Sequence, residues 1–192
     1  VTLYGKAAAG KKMTVTTGWD HEQYRFHSDA EGNWSVRIPT PEAGGPFDIT
    51  ISDGKKITLR NILIGEVWFC SGQSNMEMPV AGWGKVLNYE QEVAAADYPC
   101  IRLFQVKKAT SLAPAADVAS TMGGWQECSP ASVPEFSALG YFFARRLWQE
   151  LGIPVGVIDC TWGGTPAEAW TSYSTLKNVY GYVDEMRDLS RM

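Results

Sequence analysis

Histidine is almost missing from this chain: His21 and His27 are the two among 192 residues. Both sit in the N-terminal third, close to Trp19, Tyr24 and Phe26, where a surface or turn position is the reading for each. Paired cysteines are missing too. Cys70, Cys100, Cys128 and Cys160 show no C-x-x-C spacing, so no metal-ligand motif is present. Cys70 and Cys160 lie in strand-like apolar stretches and read as small buried hydrophobes, whereas Cys100 and Cys128 could pair in an exported protein. Basic residues are not in excess, 17 against 21 acidic, and the net charge of −4 gives no footprint for nucleic acid or an anionic membrane surface. No apolar run reaches the roughly 18 residues that span a bilayer. A signal peptide is not apparent either. Val1 reads as a mature or truncated start, so that says nothing about export.

What is present is an ordinary globular composition, 45% hydrophobic and 20% charged, with eight tryptophans. Residues 1–60 read as all-β. Met13–Thr17, Tyr24–His27, Trp34–Ile38, Phe47–Ile51 and Ile57–Leu59 are short strands separated by turn residues, the pattern of a small β-sandwich or jelly-roll module. Residues 61–192 switch to alternating strands and helices, which predicts an α/β domain on a parallel sheet. Strands are expected at Val67–Ser71, Ile101–Val106 and Pro154–Cys160, with a helix over Tyr89–Ala96 and a loop over 107–131.

The clearest helix signal follows that loop. Ser132 and Glu135 fit a capping box, with Pro134 in the first turn. Phe136, Leu139, Phe143, Leu147 and Leu151 form one apolar stripe, and Gly152 takes the C-cap. Thr175–Met192 reads as polar and weakly helical. Three strands with one strong crossover helix make only part of a sheet that needs both faces covered.

Two turns carry chemistry. The apolar run ending Phe69-Cys70-Ser71-Gly72-Gln73-Ser74-Asn75 places a serine just past a buried strand, where a tight turn can present a nucleophilic hydroxyl. Thr161-Trp162-Gly163-Gly164-Thr165-Pro166 follows another buried strand at the same sheet edge, and adjacent glycines let backbone N–H groups approach a developing oxyanion. Either alone reads better as a polar turn. Together, in one sheet, they are harder to dismiss as bare turns.

At these residues the chain resembles a known family. Gly65–Pro79, with the core Ser71-Gly72-Gln73-Ser74-Asn75-Met76, is similar to the nucleophile block of the sialate O-acetylesterases of the SGNH-hydrolase superfamily, relatives of certain acetylxylan esterases. Phe136–Arg145, Pro154–Ile158 and Trp162–Trp170 resemble the same family, and the β-rich start resembles the small domain that precedes its catalytic domain. The resemblance implies a partial SGNH-type α/β/α domain behind a β-sandwich module. It implies that Ser74 is the nucleophile, that the oxyanion hole is built from the N–H groups of Ser74 and the Gly163-Gly164 turn, with Gly164 favoured, and that the route is a serine acyl-enzyme needing no metal or organic cofactor. Gln73 and Asn75 would shape the turn, and Trp162 could stack on a sugar; these three are the expected substrate contacts. Glu168 is expected to cap the segment after Pro166.

The expected activity is removal of acetyl groups from sugars, sialic acid foremost, in the periplasm or outside the cell. A non-catalytic glycan-binding protein and an acetylxylan esterase are the alternatives. One departure matters. Family members carry a later Gln-containing block and an Asp-x-x-His that supplies the base, and neither occurs here. A remainder of the same gene product carrying Asp-x-x-His is therefore the expected partner, and the polar tail holding Arg187 and Arg191 is the sort of segment where a chain is nicked.

Overall fold

The computed structural model describes residues 1–111 and 113–183. The N-terminal part is built from β1 (Thr2–Lys6), β2 (Lys12–Thr17), β3 (Gln23–His27), β4 (Asn33–Arg37), β5 (Gly44–Ser52) and β6 (Lys56–Ile64). β1 pairs with β4, and the other four form an antiparallel sheet in the order β3-β2-β5-β6. Val15, Ile38 and Ile49 are buried between them, with Leu3, Val36 and Ile62 packed around. The alternation of β2 follows from this core, since its even-period side chains Met13, Val15 and Thr17 all turn inward. β5 starts earlier than its apolar residues imply, taking in Gly44 and a cis peptide at Gly45-Pro46. The all-β part runs through Ile64.

A second sheet follows. β7 (Glu66–Gly72), β8 (Tyr98–Gln105) and β10 (Val155–Thr161) run parallel, and β9 (Gln126–Cys128) adds antiparallel to β8, giving the order β7-β10-β8-β9. The helices are α1 (Ser74–Glu77), α2 (Tyr89–Ala94), α3 (Ala138–Leu151) and α4 (Tyr173–Leu176), with a 3-10 turn at Ala167–Trp170. The 107–131 stretch is thus not all loop. β9 is three residues, two of them polar, and carries no alternation by which a strand is recognised.

The start of α3 also differs from the capping-box reading. Its cap is Ser137, whose Oγ accepts from the Gly140 N–H at 3.1 Å. Ser132 instead donates to the Glu127 carbonyl at 2.6 Å and closes a turn before the helix. Phe136, fully buried, enters the core just ahead of the cap. The stripe rotates accordingly. Ala138, Gly140, Tyr141 and Ala144 are the buried residues of α3, while Leu139 and Leu151 are half exposed at 51% and 52%. Ala138, Gly140 and Ala144 let the helix lie close on the sheet, with the Gly140 position in van der Waals contact with Val157, and Tyr141 is the one large side chain of the helix that is fully buried. Gly152 ends the helix in the left-handed conformation, as its place in the sequence implies.

Of the 175–192 stretch, α4 and residues through 183 are described; Arg187, Arg191 and the helical reading for the remainder lie outside the described residues. All four cysteines are free, Cys100 and Cys128 included.

Candidate active site

Because β7, β8 and β10 are parallel, their carboxyl ends lie on one edge, and each hands the chain to a turn there. β7 ends at Gly72, whose φ of +148° is costly for any side chain. Gln73 and Ser74 follow, and α1 starts at Ser74. β10 runs into Trp162-Gly163-Gly164. The two turns are stitched by the Trp162 N–H, which donates to the Gly72 carbonyl at 2.9 Å.

That stitch brings Ser74 against Gly163. A Cβ built at Gly163 would lie 3.4 Å from Ser74 Oγ and 2.5 Å from Glu77 Oε2, so a side chain there would have to displace the Glu77 carboxylate. Among the described residues the N–H groups of Ser74 and Gly164 have no intramolecular acceptor. The Gly163 N–H is not free in this way. It donates to the Glu77 carboxylate. Of the two glycines named as oxyanion donors, Gly164 is the one whose N–H remains available.

The Ser74 hydroxyl donates to Gln73 Oε1 at 2.7 Å. Neither histidine is at hand: His21 sits in the turn after β2, and His27 ends β3. Gln73 and Asn75 are exposed, and Trp162 is half-buried with the Lys108 ammonium 5.9 Å from its ring centroid. Glu168 lies within the 3-10 turn and accepts from the Tyr182 hydroxyl, a bond that lowers its pKa; no side chain caps that turn.

Beneath the edge, Asp159 is buried on β10. It accepts from Thr161 Oγ1 at 2.6 Å and from Gln105 Nε2 at 3.1 Å. Burial raises its pKa, against the opposing pull of those hydrogen bonds. Asp159 thus ties together the ends of β8 and β10.

Three participants were not legible as such. Glu77 falls inside the serine motif, three residues after Ser74, a spacing that puts both on one side of a helical turn. Lys108 pairs with Glu77 from the segment after β8. Trp83, 67% exposed, lines a cavity of about 440 Å³ together with Glu77, Gln105, Lys107, Lys108 and Thr161. Among the described residues no group of three or more His, Cys, Asp or Glu side chains is placed to hold a metal ion.

A family model described as carbohydrate esterase, sialic acid-specific acetylesterase matches residues 64–190. The chain belongs to this family. It is 32% identical to the human sialate O-acetylesterase over 91% of the chain and 36% of that protein. Against the rat sialate O-acetylesterase it is 30% identical, over 91% of the chain and 34% of the relative. The solved structure of a carbohydrate acetylesterase from Xanthomonas citri superposes with a TM-score of 0.82 at 36% identity, covering 92% of this chain and 40% of that one. The chain therefore spans about a third of the length of the curated relatives it matches. The mixed α/β architecture, with its parallel sheet behind a β-module, is that of the acetylesterase fold.

Proposed function

We propose that this chain supplies the nucleophile and oxyanion-hole half of a carbohydrate O-acetylesterase acting on acetylated sugars, with O-acetylated sialic acid as the substrate. The observation that carries the reading is the meeting of Ser74 with Gly163, in a turn whose next N–H, that of Gly164, has no acceptor, as that of Ser74 has none. Ser74 Oγ attacks the acetyl carbonyl carbon and gives its proton to a base. The carbonyl oxygen becomes an oxyanion held by the N–H groups of Ser74 and Gly164. The bond to the sugar oxygen then breaks, the alcohol leaves with the proton, and water hydrolyses the acetyl-serine to acetate. Gln73, Asn75 and Trp162 border the substrate in this reading.

A serine hydroxyl needs an adjacent base, and Ser74 is bonded here to a neutral amide. We assign the base to an Asp-x-x-His in a further part of the gene product, a reading supported by relatives about three times as long. From a sugar substrate of this kind we infer a location in the periplasm or outside the cell.

The test is Ser74→Ala in the protein as its gene encodes it, assayed by acetate release from O-acetylated sialic acid and from acetylated xylan. A fall in kcat of at least about 10⁴-fold is expected. Wild-type turnover in the variant would remove Ser74 from the mechanism, and faster release from xylan would reassign the sugar.

A further inference from the structure

The strongest arrangement that the proposed chemistry leaves unused is centred on Glu77. One oxygen of its carboxylate accepts the Gly163 N–H, and the other pairs with the Lys108 ammonium. Its side chain is only 15% exposed. Those contacts join three segments: α1, which carries Ser74; the Gly-Gly turn after β10; and the segment after β8. Each leaves the carboxyl end of a different parallel strand. The Lys108 ammonium also lies over Trp162, the residue that opens the Gly-Gly turn.

We propose that Glu77 is a positioning residue for the oxyanion hole, holding the Gly163-Gly164 turn on the serine helix through the Gly163 N–H. An oxyanion donor works only when fixed at about 3 Å from where the negative oxygen develops. The Gly164 N–H that serves as donor sits one peptide beyond the bonded Gly163, so the turn's orientation follows from the Glu77 contact. A glycine pair would otherwise sample many conformations. The carboxylate is suited to this task because a charged acceptor makes a stronger bond to a backbone N–H than a neutral one. Lys108 fixes the carboxylate's second oxygen and so its plane.

This inference rests on the esterase reading for its kinetic consequence but not for its structural one, and its test uses both. Glu77→Leu removes the acceptor; Glu77→Gln keeps an acceptor oxygen of the same reach. In the gene-encoded protein, Glu77→Leu is expected to lower kcat for acetyl-ester hydrolysis by about 10- to 100-fold with KM within about twofold. That range lies below or at the roughly 10²–10³-fold loss seen when an oxyanion donor is deleted outright. Glu77→Gln should recover kcat to within about threefold of wild type. By hydrogen exchange read through NMR, the Gly163 amide should exchange at least about tenfold faster in Glu77→Leu and close to the wild-type rate in Glu77→Gln.

Equal kinetics for the two variants would overturn the proposal, as would a change confined to KM or an unaltered Gly163 exchange rate. A wild-type protein that releases no acetate would sink the esterase reading alone, and the exchange rates would still decide whether Glu77 holds the turn.

Discussion

The parallel sheet has two faces, and the same three strands furnish them very differently. On one face Trp68 and Cys70 of β7, Val155 and Val157 of β10, and Ile101 and Leu103 of β8 lie under α3. On the other, the paired positions are Val67 and Phe69, Gly156 and Ile158, and Arg102 and Phe104. There Trp125 folds over Gly156 and packs at a tilt against Phe104, ring centroids 5.3 Å apart, but Val67 and Phe69 stay 63% and 62% exposed. Apolar residues on a parallel strand are expected on both faces, because such sheets are covered on both. One face therefore holds this part of the molecule together, and the other presents an apolar patch of the type that marks a contact surface. On the proposal that the protein continues beyond this chain, a further segment covers that patch.

Replacing the largest buried side chain of the covered face should have the largest effect. Tyr141 is fully buried on α3, with rings of Tyr98 and Phe142 at 6.4 and 5.1 Å. Its hydroxyl accepts from Arg145 Nη1 at 3.3 Å, which itself pairs with Glu92. Tyr141→Ala leaves a cavity in a region with no slack and is expected to cost about 3–5 kcal/mol in urea unfolding. A cost below about 1 kcal/mol would mean that α3 does not anchor the sheet.

Which of these features the sequence announces depends on how local their cause is. β7, β10 and the two turns that follow them are legible because an apolar strand and a tight turn are written in consecutive residues, but the expected burial of β7 is not met: it is an edge strand in which Cys70 alone is buried. The inner face of α3 is not legible in this way. Helical periodicity marks Leu139 and Leu151 as core, yet the sheet's surface selects Ala138, Tyr141 and Ala144, a choice that depends on how closely two elements approach. Ser132 and Glu135 satisfy a capping pattern that a competing turn to Glu127 removes. β9 exists only because β8 offers it an edge. At the site, Ser74 and the glycines are visible as motifs, but the bond from Glu77 to Gly163 spans 86 positions and depends on two turns meeting.

A second prediction concerns Asp159, which lies at the site end of the covered face. Its pKa is raised by burial, so the folded state binds its proton more tightly than the unfolded chain, whose reference value is 3.8. The stability this contributes is fully present below about pH 3.8 and is lost as pH rises through the raised value. Asp159→Asn cannot ionise and lacks that loss. The stability of the variant relative to wild type should therefore rise between pH 3.5 and 6.5, measured by urea unfolding at each pH. A difference that is flat with pH, or that moves against the variant, would show that the hydrogen bonds from Thr161 and Gln105 outweigh burial in setting the charge state.

The smallest effect is expected on the open face, and it sharpens the contrast most. Phe69 is paired in register with Ile158, which pairs on its other side with Phe104, but it stands largely in solvent, so little of its apolar area is removed from water on folding. Phe69→Ser should change the stability of this chain by less than about 0.5 kcal/mol. On the proposal that the gene product is longer and a further segment of it covers the patch, the same substitution there should cost more than about 2 kcal/mol, since a buried phenylalanine is then lost. Urea unfolding of both lengths checks the pair. An equal, small cost in both would mean that the open face stays open in the whole protein, and that the asymmetry belongs to the fold itself.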